Sequence, residues 1–374
     1  MMDLNRLSEL LPEQTLACEY LRHINREIEE NLCAEEYAGR WRKIIEEHRQ
    51  HIGKCFLSVV MRTQGRRPEA LREALLCLFA QDDQDFEVLL IGHKLDGNQL
   101  SLVEDILAEQ EPRFRERIRF LPFNEGNRTT PLNYGFAQAN GEYIMIFDDD
   151  DLVMEDCVSA YRKQAEKTPG RVLYRYTISQ KWCVIDTDSG VQALHAQDMP
   201  EMGFCKDYDP LEQVYMNHCP PIGLAFPAFA FRDLGIIFDE TLATTEDWDY
   251  LNRTVKYCGA ASVNTVGAVY RLWTNAESSA TVHAQEEWKE NYHIIQGKMN
   301  SAPLLLPTGT TMRISDIVEM GGLETKEAAQ EKQSLISRLQ GELNEAKEYM
   351  KKCETDIALL HEHVQFLEKR NLNE

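Results

Sequence analysis

At 374 residues, 43% hydrophobic and 27% charged, the sequence has the composition of a folded globular protein and is too apolar for intrinsic disorder. A net charge of −22 with no long basic run excludes non-specific attraction to nucleic acid phosphates or to an anionic bilayer. Any phosphate-bearing ligand therefore has to be drawn in by a metal ion or by a few placed cations.

The 10 cysteines contain no C-x-x-C pair and no Cys/His cluster at zinc spacing, the pattern of reduced, structural thiols. The opening MMDLNRLSELLPEQ lacks the charged and apolar regions of a signal peptide, and no apolar run approaches the roughly 20 residues that span a bilayer. The expectation is a cytoplasmic protein without a transmembrane segment.

Residues 1–52 read as a helical lead-in, with Ala17, Leu21, Ile24 and Ile28 recurring at spacings of three and four. From Cys55 short apolar runs alternate with amphipathic stretches, the signature of an α/β fold with parallel strands and crossover helices. Strands are expected at 56–63, 86–91, 118–122 and 142–147. Between them, Pro68 suits the first turn of one helix, a second begins near Gln99, and a third covers Pro131 to Ala139, stopped by Asn140-Gly141.

Beyond Asp151 the rhythm loosens. RVLYRYTIS and KWCVID read as two strands, and CPPIGLAFPAFAF as a partly buried loop. The expected domain runs over 53–300, followed by a connection over 301–330 and a coiled coil over 331–374. There Ile336, Leu339, Leu343, Ala346, Met350, Cys353, Ile357, Leu360, Val364 and Leu367 alternate at three and four, with Glu342 at g facing Lys347 at e of a partner strand. This heptad repeat points to a homo-oligomer through 336–367; a single helix packed on its own domain is the other reading.

The most informative segment is Asp148-Asp149-Asp150-Asp151, directly after the apolar strand YIMIF. A charge run is usually a solvated turn, and one of these aspartates could cap a helix. At the carboxyl end of a buried parallel strand, however, it sits where open α/β sheets bind ligands. Hard cations such as Mg2+ or Mn2+ choose oxygen ligands and bridge a diphosphate, which would also answer the unfavourable net charge.

Three blocks, LSVVMRTQGRRPEALREALLCLFAQDDQDFEVLLI, TTPLNYGFAQANGEYIMIFDDDDL and FDETLATTEDWDYLNR, resemble in order and spacing the inverting family 2 glycosyltransferases of GT-A fold. The resemblance implies a Rossmann-like mixed sheet flanked by helices, an NDP-sugar donor and a divalent metal, Mn2+ or Mg2+, on a D-x-D motif. Asp148 and Asp150 match that motif; Asp150 would ligate the metal directly, while Asp148 and Asp149 would contact the ribose or sugar. Thr63 matches a position that approaches the nucleotide, with Arg66 as a phosphate or base contact.

Glu246-Asp247-Trp248 resembles the family's E-D-W segment, which makes Asp247 the catalytic base and Glu246 and Trp248 neighbours of the sugar. The same residues also read as an acidic turn opening a helix, and Trp248 either stacks on a sugar face or is a buried aromatic. Four positions depart from the family pattern. Gly92 and His93 stand where an acidic pair reads the nucleobase, leaving His93 as a substitute partner or an exposed loop histidine. Leu132 replaces an arginine near the diphosphate, and Trp273 replaces a histidine near the metal.

The reading is an inverting glycosyltransferase that moves a sugar to an acceptor hydroxyl on a glycan or lipid-linked glycan, in surface or secreted polysaccharide synthesis, at the cytoplasmic membrane face if not free. The alternative is a catalytically silent GT-A-like scaffold that oligomerises through its coiled coil. Nucleotidyl transfer fits less well, because Thr63-Gln64-Gly65-Arg66 carries a single glycine where that class has a Gly-rich loop.

Overall fold

The computed structural model describes residues 54–187, 192–276, 284–304 and 310–322, with residue 306 and helical positions at 334, 335, 337–341, 347 and 351. The helical lead-in over 1–52 and nearly all of the heptad segment 336–367 lie outside the described residues. Residues up to Leu305 and from Leu306 form two compact units. In the second, the described helix runs Thr310–Gly322.

The first unit is built on one sheet in the order β3-β2-β1-β4-β8-β6-β9-β5, with β7 paired to β6. Its first half is a regular βα winding: β1 (Cys55–Thr63), α1 (Pro68–Phe79), β2 (Phe86–His93), α2 (Gly97–Ala108), α3 (Pro112–Arg115), β3 (Ile118–Phe123), α4 (Thr130–Gln138) and β4 (Gly141–Asp148). These four strands pair in parallel.

They form because the sheet is covered on both faces, so their residues are apolar in unbroken runs rather than alternately. Alternation persists only in which core each side chain joins. Val59 and Met61 enter the core under α1, α2 and α5 (Cys157–Lys167), while Val60 enters the opposite core with Phe136 of α4. In α1 the residues Ala70, Leu71, Ala74, Leu75 and Leu78 are buried at helical spacing, each large side chain contributing about 1.5–3 kcal/mol.

Helix α2 begins two residues before Gln99 because Asp96 and Gln99 form a reciprocal cap, Asp96 accepting from Gln99 N and Gln99 from Asp96 N. Helix α4 lies so close on β1 that a Cβ at Gly135 would meet Val60 Cγ1 at 2.5 Å. An alanine there would lift the helix off the sheet.

The second half departs from the sequence reading. The two strands expected at 171–179 and 181–186 are one strand, β6 (Val172–Asp186), because β9 (Ala260–Trp273) runs parallel to it from Val172 to Trp182 and β7 (Gln192–Ala196) pairs with its far end. The expected loop around 219–231 instead contains β8 (Leu224–Pro227), wholly buried between β4 and β6, and a short helix α7 (Ala228–Arg232).

The remaining elements complete the site. They are β5 (Leu152–Val153), α6 (Pro210–Tyr215), α8 (Glu246–Cys258) and α9 (Gln285–Asn300). Among the described residues no helix is long and apolar enough to cross a membrane.

Candidate active site

In the sheet, β1 lies between β2 and β4, so the winding reverses at β1 and leaves a crevice above the strand ends. The parallel register sets Arg62 opposite Asp148. Arg62 Nη2 donates to Asp148 Oδ1 at 2.9 Å, and its Nη1 donates to Glu246 Oε1 at 3.2 Å. One planar guanidinium thereby ties the acidic strand end to the first residue of α8.

Each aspartate of the run has a different setting. Asp149 accepts from Thr63 Oγ1 at 2.6 Å, and Thr63 in turn accepts from Gly65 N. Asp150 Oδ2 faces Arg67 Nη1 at 2.8 Å and accepts from Trp273 Nε1 at 2.7 Å, which leaves Oδ1 without a hydrogen-bond partner among the described residues. Asp151 accepts from the backbone N–H of Arg271 at 2.8 Å and so staples the turn to β9. That last aspartate is a structural residue.

The charge balance decides what else this crevice can hold. Burial pushes the Asp149 carboxyl up to about 7, reinforced by Asp150 beside it. Burial also raises Asp150, against the pull of Arg67, and raises Asp151 strongly. Only Asp148 is held below the usual carboxylate range, because Arg62 and Arg128 outweigh its burial. With Glu246 and Asp247 added, the carboxylates outnumber the guanidinium groups that reach them.

A hard divalent cation suits this surplus and the free Asp150 Oδ1. Among the described residues the run forms no closed group of three protein ligands. Asp148 and Asp150 are therefore a fit to a divalent metal.

The Glu246-Asp247 pair is presented by a tight turn. Thr245, at the head of α8, has φ 60°, a left-handed conformation costly for a β-branched residue and concentrated at functional positions. The turn is held from α4. Asn133 Nδ2 donates to Phe238 O and to Glu240 Oε1, Asn133 Oδ1 accepts from Phe238 N, and Thr129 Oγ1 donates to Leu242 O. These bonds join the second and third sequence blocks.

Asp247 accepts from Asn217 Nδ2 at 2.9 Å. Burial, then the Glu246 carboxylate, push its pKa up to about 6. The phenol of Tyr270 on β9 is raised by burial and by the charges of Asp151, Asp148, Asp150 and Asp247 together.

Several expectations need restating. Trp248 is 1% exposed, its ring stacked on Tyr292 and its Nε1–H given to Gln213 O, so it anchors the α6 segment and cannot stack on a sugar. His93 is a buried residue rather than an exposed loop histidine: its Nε2 lies 3.2 Å from Glu125 O, and burial lowers its pKa. Leu132 lies in the core, and Arg128, four residues earlier, stands 3.5 Å from Glu246. Arg66 is exposed, and it is its neighbour Arg67 that reaches Asp150.

Sequence reasoning missed Arg62, Arg67, Asn217 and Tyr270. Arg62 had a signal, since an arginine ending a buried parallel strand needs a counter-charge. Asn217 had none.

A mixed sheet with this order, an acidic crevice at the β1/β4 reversal and a second carboxylate turn define the GT-A class of nucleotide-sugar folds. Residues 58–182 match the model of glycosyl transferase family 2. No curated protein matches in sequence.

Among solved structures, Staphylococcus aureus TarS 1–349 in complex with UDP-GlcNAc superposes with a TM-score of 0.51 at 17% identity, covering 67% of this chain and 68% of that one. The same protein in complex with UDP gives a TM-score of 0.49 at 18% identity, covering 67% of each chain. At this identity the UDP-GlcNAc complex bears on the fold alone.

Proposed function

We propose that the protein is a metal-dependent, inverting glycosyltransferase that moves a sugar from a nucleoside diphosphate to an acceptor hydroxyl in the building of a surface or secreted glycan. The reading rests on one observation: Arg62 bridges Asp148 and Glu246, bringing the acidic strand end and the Asp247 turn into one crevice. A silent scaffold has no need to keep so many buried carboxylates in one cleft.

In this reading Asp148 and Asp150 hold Mn2+ or Mg2+, which supplies charge stabilisation at the leaving diphosphate. Thr63 and Asp149 border the nucleotide side of the crevice, with His93 at the end of β2. Asp247 takes the proton of the acceptor hydroxyl at a carboxylate oxygen as the hydroxyl oxygen attacks the anomeric carbon from the face opposite the diphosphate, which leaves. Asn217 keeps the carboxylate turned towards the crevice, and Arg62, Arg67 and Arg128 balance the negative charge gathered there.

TarS is known in complex with UDP-GlcNAc, so UDP-sugars lead the panel to be tested. The purified chain is offered UDP- and GDP-sugars with Mn2+ or Mg2+, and binding and donor turnover are followed. Turnover should require the metal, and Asp150→Asn and Asp247→Asn should each lower kcat by about 100-fold or more. No binding or turnover of any nucleotide sugar would establish the scaffold instead, and turnover unchanged in both variants would overturn the roles given to Asp150 and Asp247.

A further inference from the structure

A second cluster of metal-ligating side chains lies on the segment that precedes β8. Cys205, Glu212 of α6 and His218 each offer a ligand atom, and these atoms all lie within 4.8 Å of one another. Cys205 Sγ stands 2.8 Å from Glu212 Oε2. The His218 imidazole has no hydrogen-bond or ion-pair partner among the described residues, and its ring is half-buried rather than free in solvent.

The backbone of each contributor is fixed without help from an ion. Tyr174 Oη donates to Cys205 O at 2.6 Å. Asp209 caps α6, accepting from Leu211 N and Glu212 N. His218 N donates to Gln213 Oε1 at 3.1 Å. Three donors of different elements are thus brought together by independent anchors, as a preformed site requires.

We propose that Cys205, Glu212 and His218 bind a zinc ion that clips this segment together. A sulfur, an imidazole nitrogen and a carboxylate oxygen match the borderline-soft preference of Zn2+, whereas Mg2+ and Mn2+ favour all-oxygen sets such as the acidic run. Three protein ligands leave one tetrahedral position for water. On binding, the Cys205 thiol gives its proton to solvent and the thiolate forms the metal–sulfur bond. The three positions, separated by six and five residues, match no paired-ligand spacing, which is why the sequence showed no zinc motif.

The clip has a reason to be there. Asn217, next to His218, holds Asp247, and Gln213 bonds Asn217 through its side chain while receiving Trp248 Nε1–H on its carbonyl. An ion at Glu212 and His218 would fix both ends of this positioning segment.

The test measures zinc itself and needs no turnover, so it is separate from the glycosyltransferase reading. Full-length protein is incubated with Zn2+, gel-filtered and analysed for metal by mass spectrometry, and a Co2+-loaded sample is scanned for thiolate-to-cobalt charge-transfer absorption. The wild type and Asp150→Asn should each retain about one zinc per chain, and Cys205→Ser and His218→Ala less than about a tenth of that. The cobalt band should appear in the wild type and vanish in Cys205→Ser.

Circular dichroism checks that the variants fold; if one does not, the wild-type cobalt band decides. Wild-type protein that retains no zinc or shows no such band, or a Cys205→Ser protein that keeps its zinc, overturns the proposal.

Discussion

As the proposed base, Asp247 would act only when ionised, and its surroundings oppose that state. Its pKa rises to about 6 because burial and Glu246 both penalise the charged form, while the Asn217 amide favours it. The profile of kcat/KM against pH should therefore be flat near neutrality and fall about tenfold per unit below an acid limb near the free-enzyme value. Removing the amide with Asn217→Ala takes away a hydrogen bond to a carboxylate, worth about 1.5 kcal/mol, so the limb should move up by about one unit.

A limb that stays in place would mean that Asn217 does not touch the ionisation of Asp247. The stability effect has the opposite sign. A carboxyl raised on folding costs stability progressively as pH rises from its ordinary value of 3.8 through about 6, so Asp247→Asn should gain stability relative to wild type at neutral pH even as it loses turnover.

Among the elements, the segment from Thr129 to Asn133 is what places the Asp247 turn. Asn133 is fully buried and satisfies both backbone groups of Phe238. Asn133→Ala leaves those groups buried and unpaired at about 1–3 kcal/mol each, so the protein should lose about 2–6 kcal/mol in urea unfolding. Its kcat should fall with little change in donor affinity, because the turn carrying Asp247 loses its support while the acidic run keeps its own. Loss of donor affinity without loss of stability would contradict this division.

The same element scale explains what the sequence could and could not disclose. Strands β1 to β4 were legible because burial on both faces writes them as continuous apolar runs, and the acidic run was legible because it interrupts one of them. Strand β8 was not, since four buried residues bounded by Pro221 and Pro227 have no period to read. The polar Gln180 made β6 look like two strands, although its pairing with β9 continues through that residue. Asn217 reaches Asp247 only through the folded path of the α6 segment, and local sequence carries no trace of such a meeting.

For the whole molecule, a charge of −22 sits uneasily with the proposed diphosphate ligand, and the fold places Arg62, Arg67 and Arg128 at the acidic crevice. These cations and every carboxylate assigned to the cleft come before residue 274, in the first compact unit. The heptad repeat over 336–367 is separate in sequence and is proposed to set the oligomer. Charging its apolar seam should then divide the two roles. Leu343→Asp with Leu360→Asp, at an a and a d position, should convert the assembled protein to a monomer by light scattering while leaving donor turnover per chain within about twofold. An unchanged mass would show that chains do not pair through this seam, whereas loss of turnover on dissociation would mean that assembly also shapes the active site.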